Sequence, residues 1–207
     1  MNPKWLQWAK ALQAMAQTGL TYAKDPYDIE RYTALREIAF EIMEIHSDAD
    51  IEQIRAIFQY ETGYANPKVD VRAAIFRDDT ILLVKERSDG GWTLPGGWAD
   101  VGDSPSESAV REAWEESGYR VRATRLLAVY DRDKERHGHP PLPYQIYKLF
   151  FECEIIGGAP TSSSETDGVA FFSLDDLPPL SLTRITPVQI KRLFELHQQP
   201  ELGADFD

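Results

Sequence analysis

Two hydrophobic rhythms divide the chain. In its first sixty residues apolar positions recur every three or four, the repeat of a helix with one buried face. Trp5, Trp8, Leu12 and Met15 form the first such stripe, and Gly19 reads as its stop. Asp25-Pro26 opens a second helix with proline at its first position, and Ile29, Tyr32, Leu35, Ile38, Ile42 and Ile45 mark its apolar face. Ile51, Ile54 and Phe58 predict a third, shorter helix.

Past Thr62-Gly63 and Asn66-Pro67 the rhythm changes to short apolar runs bounded by turn residues, the pattern of strands. Residues 69–76 and 80–85 predict two strands joined at Arg77-Asp78-Asp79. Gly90-Gly91 and Pro95-Gly96-Gly97 punctuate a loop region, and a helix is expected over residues 105–117. Strands follow near 121–130, 147–156 and 169–172, with Gly157-Gly158 breaking the chain between the last two. Thr186-Pro187-Val188-Gln189 reads as a capping box before a last helix carrying Ile190, Leu193 and Phe194. No regular strand–helix–strand repeat appears. The expected fold class is therefore α+β in α-β-α layers, a mixed sheet flanked by helices, with a small all-helical N-terminal domain. The expected boundaries are 1–64 for the helical domain and 67–207 for the second.

Charge narrows the partners. In 207 residues, 34 Asp and Glu outnumber 22 Lys and Arg, for a net charge of −12. Such a surface repels phosphate backbones, which argues against broad nucleic-acid binding. A small phosphate-bearing substrate remains compatible, provided a cation supplies the missing positive charge. The helical region carries six basic residues (4, 10, 24, 31, 36 and 55) against ten acidic ones, so it reads as a packing or dimerisation unit and not as a DNA-binding module. The single cysteine, Cys153, excludes an internal disulfide, suits a reducing compartment and reads as core. The runs are too short to span a bilayer, and no targeting signal is evident, so no membrane partner and a cytoplasmic location are expected.

The chemistry concentrates on residues 96–121. Ser104 caps the helix, Pro105 occupies its first turn, Glu107 completes a capping box and Gly118 ends it. Val110, Ala113 and Trp114 are expected to form the face packed on the sheet. Glu112, Glu115 and Glu116 lie on another face, and like charges so spaced oppose the helix by about 0.2–0.5 kcal/mol per pair. They also crowd its last turns, where the helix dipole disfavours negative charge. Local conflict of this kind marks a functional site, and clustered carboxylate oxygens suit Mg²⁺ or Mn²⁺.

Gly97, Asp103 and the run Arg111-Glu112-Ala113-Trp114-Glu115-Glu116-Ser117-Gly118 together resemble the Nudix box. Agreement at six defining positions by chance is roughly one in ten million per window. Asp103 departs from the pattern, which usually has Glu. The resemblance implies a pyrophosphohydrolase that splits a nucleoside diphosphate linked to another moiety, X, into a nucleoside monophosphate and X-phosphate, using Mg²⁺ or Mn²⁺ and water. By position it implies that Gly96 (through its carbonyl), Glu112, Glu115 and Glu116 hold metal, while Arg111 orients the carboxylates. The water's proton goes to a box glutamate such as Glu112 in some members and to a later loop glutamate in others; Glu165, before the strand at 169–172, is the loop candidate. Trp98, Tyr130 and Tyr144 are candidates for stacking a base or facing a choline cation. Residues 131–143 read as a specificity loop with solvated His137 and His139.

The segments Lys4-Trp5-Leu6-Gln7-Trp8-Ala9 and Trp92-Thr93-Leu94-Pro95-Gly96-Gly97-Trp98 extend the resemblance to a Nudix subgroup with a helical N-terminal domain, which includes dimeric bacterial CDP-choline pyrophosphatases. The expected partners are then a small nucleotide, CDP-choline or ADP-ribose first, and a second copy of the chain. The other readings are a non-catalytic nucleotide sensor, or a hydrolase of dinucleoside polyphosphates, oxidised nucleotides or RNA ends.

Overall fold

The computed structural model describes residues 3–207, which divide into two compact units, residues 3–67 with 141–145, and residues 68–140 with 146–207. The first holds three helices, α1 (Lys4–Tyr22), α2 (Pro26–Ile45) and α3 (Ile51–Phe58). Asp25 caps α2 by accepting from the Tyr27 and Asp28 amides, and an Asp50–Gln53 capping box opens α3. Two sequence expectations change. Gly19 does not stop α1, which runs on to Tyr22; at that position a side chain would run into the Tyr32 ring of α2, so the glycine permits close packing of the two helices. Nor is the large apolar stripe the buried one. Leu6, Ala9, Ala16, Ala39, Phe40 and Met43 are buried, whereas Trp8, Met15, Ile29, Ile38 and Ile45 are exposed. Alanines interleaved with Leu6, Phe40 and Met43 let the backbones approach while the larger side chains fill the space between them.

The second unit is built on β1 (Lys68–Arg77), β2 (Thr80–Glu86), β3 (Trp92–Thr93), β4 (Tyr119–Asp131), β5 (Ile146–Gly158), β6 (Thr166–Ser173) and β7 (Asp205–Phe206). The strands form one mixed sheet in the order β3-β2-β1-β5-β4-β7, with β6 paired to β2. β1 runs parallel to β5, while β4 is antiparallel to β5 and β2 antiparallel to β6. Two helices, α4 (Pro105–Ser117) and α5 (Pro187–Gln198), complete the unit. Side chains alternate between the two faces of a strand. Accordingly Ala74, Ile81 and Leu83 join Ile190, Leu193 and Phe194 of α5 in one core, and Ala73, Ile75, Leu82 and Cys153 join Ala113 of α4 in another. Each fully buried aliphatic side chain contributes about 1.5–3 kcal/mol. Gly157-Gly158 does not break the chain; β5 continues through both, with Gly158 at φ 84°. No described helix is long and apolar enough to cross a membrane.

Candidate active site

The helix α4 has the ends its sequence specifies. Ser104 and Glu107 form a reciprocal capping box, Pro105 starts the helix and Gly118 ends it at φ 75°. Its inward face is Ala109, Ala113 and Glu116, spaced four and three apart. Val110 packs partly on the sheet, but Trp114 does not: it is 56% exposed and turns to a cleft, since it lies a further 100° around the helix from Ala113.

That cleft, of about 960 Å³, brings together Gly96, Trp98, Arg111, Glu112, Glu115, Glu116 and Glu165. The Pro95 and Gly97 carbonyls accept from the Ala73 and Val71 amides of β1. Between them, the Gly96 amide donates to Glu116 Oε2 at 2.9 Å. Arg111 ties the carboxylates in a fork: its Nη1 reaches Glu112 at 2.9 Å and Glu115 at 3.0 Å, Nη2 reaches Asp100 at 2.8 Å and Nε reaches Asp103 at 3.2 Å. Asp103 thus reaches the arginine despite being one methylene shorter than glutamate. Burial pushes the Glu116 carboxyl up to about 7, against the pull of Arg72, and raises Glu112 as well.

Beneath the cleft lies a buried charge cluster that the sequence reading missed. Arg72 grips Asp70 with two bonds, Nε–Oδ1 at 3.0 Å and Nη2–Oδ2 at 2.7 Å, and Lys148 Nζ lies 2.5 Å from the same Oδ1. The signal was present: opposite charges two apart inside the apolar run Val69-Asp70-Val71-Arg72-Ala73 share one strand face. Glu86 and Arg184, also unpredicted, line the cleft and pair at 3.1 Å.

Other expectations are corrected. Tyr130 is core, 2% exposed, donates to Asp205 at 2.7 Å and does not line this cleft. Tyr144 belongs to the helical unit, where it packs on Phe58 and donates to the Ile57 carbonyl. The histidines are not solvated: His137 is buried and bonded to Asp207, and His139 Nδ1 bonds the Leu182 carbonyl. Residues 135–137 form a 3₁₀ turn on the body of the unit, so the 131–143 loop is in part structural.

The cleft fits a hard divalent cation by its donor chemistry. Its walls carry the carboxylates Asp70, Glu86, Asp100, Glu112, Glu115, Glu116 and Glu165 against Arg72, Arg111 and Arg184, and each arginine is already ion-paired. An anionic diphosphate entering this surface needs further positive charge, and oxygen donors suit Mg²⁺ or Mn²⁺. Among the described residues no three acidic, imidazole or thiol side chains converge into a ready metal cluster. Arg111 holds Glu112 and Glu115 while Glu116 turns to the Gly96 amide.

Comparison with known proteins places this geometry. Residues 66–194 match the model of the NUDIX domain, and residues 3–58 match that of a UDP-X-like, N-terminal oligomerisation domain. A Bacillus subtilis (strain 168) protein named "Putative ADP-ribose pyrophosphatase YjhB" is 47% identical over all of this chain and 99% of its own length. A solved UDP-X diphosphatase is 36% identical over 98% of both chains, with a TM-score of 0.64. An ADP-ribose pyrophosphatase from Streptococcus suis 89-1591 is 42% identical, covering 69% of this chain and all of its own, with a TM-score of 0.61.

Proposed function

This chain belongs to the Nudix family of hydrolases, and we propose that it cleaves the pyrophosphate bond of a nucleoside diphosphate-X compound, with ADP-ribose as its first substrate. The observation that carries the reading is the single cleft uniting the Arg111–Glu112–Glu115–Glu116 box with Gly96, Trp98 and Glu165. ADP-ribose is favoured over CDP-choline because two relatives of 42% and 47% identity carry that substrate in their names. A UDP-linked sugar or similar compound is the second reading, supported by the match to a UDP-X diphosphatase across the helical region as well.

Glu112, Glu115 and Glu116, with the Gly96 carbonyl, are the proposed metal ligands. Bound Mg²⁺ or Mn²⁺ supplies charge neutralisation of the diphosphate and a more acidic water. Arg111 fixes the carboxylate positions through its four ion pairs. Glu165, which also lines the cleft, is the proposed proton acceptor: as the water oxygen bonds to phosphorus, its proton passes to the Glu165 carboxylate and the bond to the bridging oxygen breaks. Trp98, 49% exposed, offers its indole face to the base. The products are a nucleoside monophosphate and X-phosphate.

The exposed apolar residues Trp8, Met15 and Ile38 on α1 and α2, with the oligomerisation-domain match, support a homodimer built on the helical domain, residues 1–64. Light scattering tests this, and a monomer at micromolar concentration refutes it. A cytoplasmic location fits the lone buried thiol.

The test of function is product analysis on ADP-ribose, UDP-linked sugars, CDP-choline and 8-oxo-dGTP with Mg²⁺ or Mn²⁺. Release of AMP and ribose phosphate is expected, lost in Glu116→Gln and on chelation, and restored by adding metal back. Turnover of 8-oxo-dGTP with none of the diphosphate-X compounds overturns the reading.

A further inference from the structure

Arg87 follows β2 directly and touches the 163–167 turn at three points. Its backbone amide donates to the Glu165 carbonyl at 2.9 Å, its Nη1 pairs with Asp167 at 2.5 Å, and Nε and Nη2 reach the Ser163 carbonyl at 3.4 and 3.3 Å. The contacts therefore fall on both sides of Glu165 and on Glu165 itself. The β2–β6 register explains how. Lys85 pairs with Gly168 but Glu86 pairs with Thr166, which leaves Asp167 as the extra residue of a bulge with its side chain turned to Arg87.

The other side of the turn is anchored independently. Ser163 Oγ accepts from the Glu165 and Thr166 amides at 3.1 Å, and Thr166 Oγ1 donates to the Glu116 carbonyl on α4 at 2.8 Å. Within this braced turn Glu165 is the residue that brings a carboxylate to the cleft. Arg87 is not among the residues that line the cleft, and its recognised contacts are with the turn itself.

We infer that Arg87 is a positioning residue for the hydrolytic reaction: it clamps residues 163–167 so that Glu165 is held against the cleft. This rests on the proposed role of Glu165. The energetics give the clamp a distinctive signature. Arg87 and Asp167 are 50% and 48% exposed. An exposed pair of this kind adds little to stability. Displacement of a reacting group by about 1 Å, in contrast, costs up to about 100-fold in rate. A residue of slight structural weight is thus expected to carry a large kinetic effect.

The experiment compares Arg87→Ala, Arg87→Lys, Glu165→Gln and the double variant Arg87→Ala/Glu165→Gln on the substrate that the wild type turns over, alongside amide hydrogen exchange of the metal-free protein. Arg87→Ala is expected to lose about 10- to 100-fold in kcat with little change in KM or Tm. Arg87→Lys should recover part of that loss, the double variant should be no slower than Glu165→Gln, and amides 163–166 should exchange faster in Arg87→Ala. Near-wild-type Arg87→Ala beside a crippled Glu165→Gln overturns the clamp and leaves the functional reading intact. Additive losses in the double variant also overturn it, since Arg87 then acts elsewhere. Near-wild-type Glu165→Gln overturns the role of Glu165 and the clamp with it.

Discussion

Replacing Asp70 by asparagine removes one charge while keeping the side chain's shape, so its effect isolates electrostatics. The carboxylate serves two cations, Arg72 through two bonds and Lys148 through one, and all three residues are 5% exposed or less. Loss of the anion strands two buried positive charges. Removing one partner of a buried ion pair costs about 3–5 kcal/mol. Against a typical total of about 5–15 kcal/mol, that is a large share. At about 2–4 °C per kcal/mol, Tm should fall by about 6–20 °C. Calorimetry and urea titration read both quantities. The companion variant Lys148→Met removes the second cation and leaves the Arg72–Asp70 fork whole, so it should be neutral or stabilising, and Asp70→Asn should cost less in its background. A loss below about 1 kcal/mol in Asp70→Asn alone would refute the reasoning. The pH dependence has a definite sign. Although burial opposes it, the two cations hold Asp70 down to about 2, so its stabilisation is present above pH 3.8 and lost as pH falls toward 2. Burial brings Lys148 down to about 8, so between pH 8 and 10.5 the unfolded chain binds the extra proton and this group makes stability rise with pH.

Gly96→Ala should abolish activity and destabilise the fold: at φ 142° a Cβ would run into the Val71 carbonyl, moving the amide that holds Glu116, and circular dichroism melts with a turnover assay check both effects. Burial lowers His139 to about 4, so the unfolded state binds its proton first and stability should fall between pH 6.5 and 4; His139→Gln should flatten that slope in urea titrations.

The box helix was the most legible element, because caps, proline and glycine act locally and α4 begins and ends where those residues dictate. Five of the strands followed from the same local signals, with ends displaced by up to three residues, while the two-residue strands β3 and β7 gave no such signal. The buried face of α1 and α2 was not legible. Helical periodicity names a stripe but cannot say which of two neighbouring stripes faces the partner helix, and here the buried one mixes Ala9, Ala16 and Ala39 with Leu6, Phe40 and Met43. Where Tyr130 and Tyr144 would pack was not legible for a related reason. An aromatic residue announces that it will be packed, and only the tertiary fold says against what. Glu86 and Arg184 lie 98 positions apart in sequence, and nothing local connects them.

The glycine that ends α4 is also half of a long-range junction. A side chain at Gly118 would strike the Ala159 carbonyl, one at Gly158 would strike the Gly118 carbonyl, and the Thr161 amide donates to the Ser117 carbonyl at 2.9 Å. The end of the box helix and the root of the loop bearing Glu165 are therefore fitted closely, backbone against backbone, with the Thr161 side chain also at the contact. For protein engineering this makes the two segments one transplantable cassette. A 159–165 loop borrowed from another scaffold to change substrate preference must arrive with a glycine at its root and its own spacing to the strand behind it, or it will unseat the helix it was meant to serve.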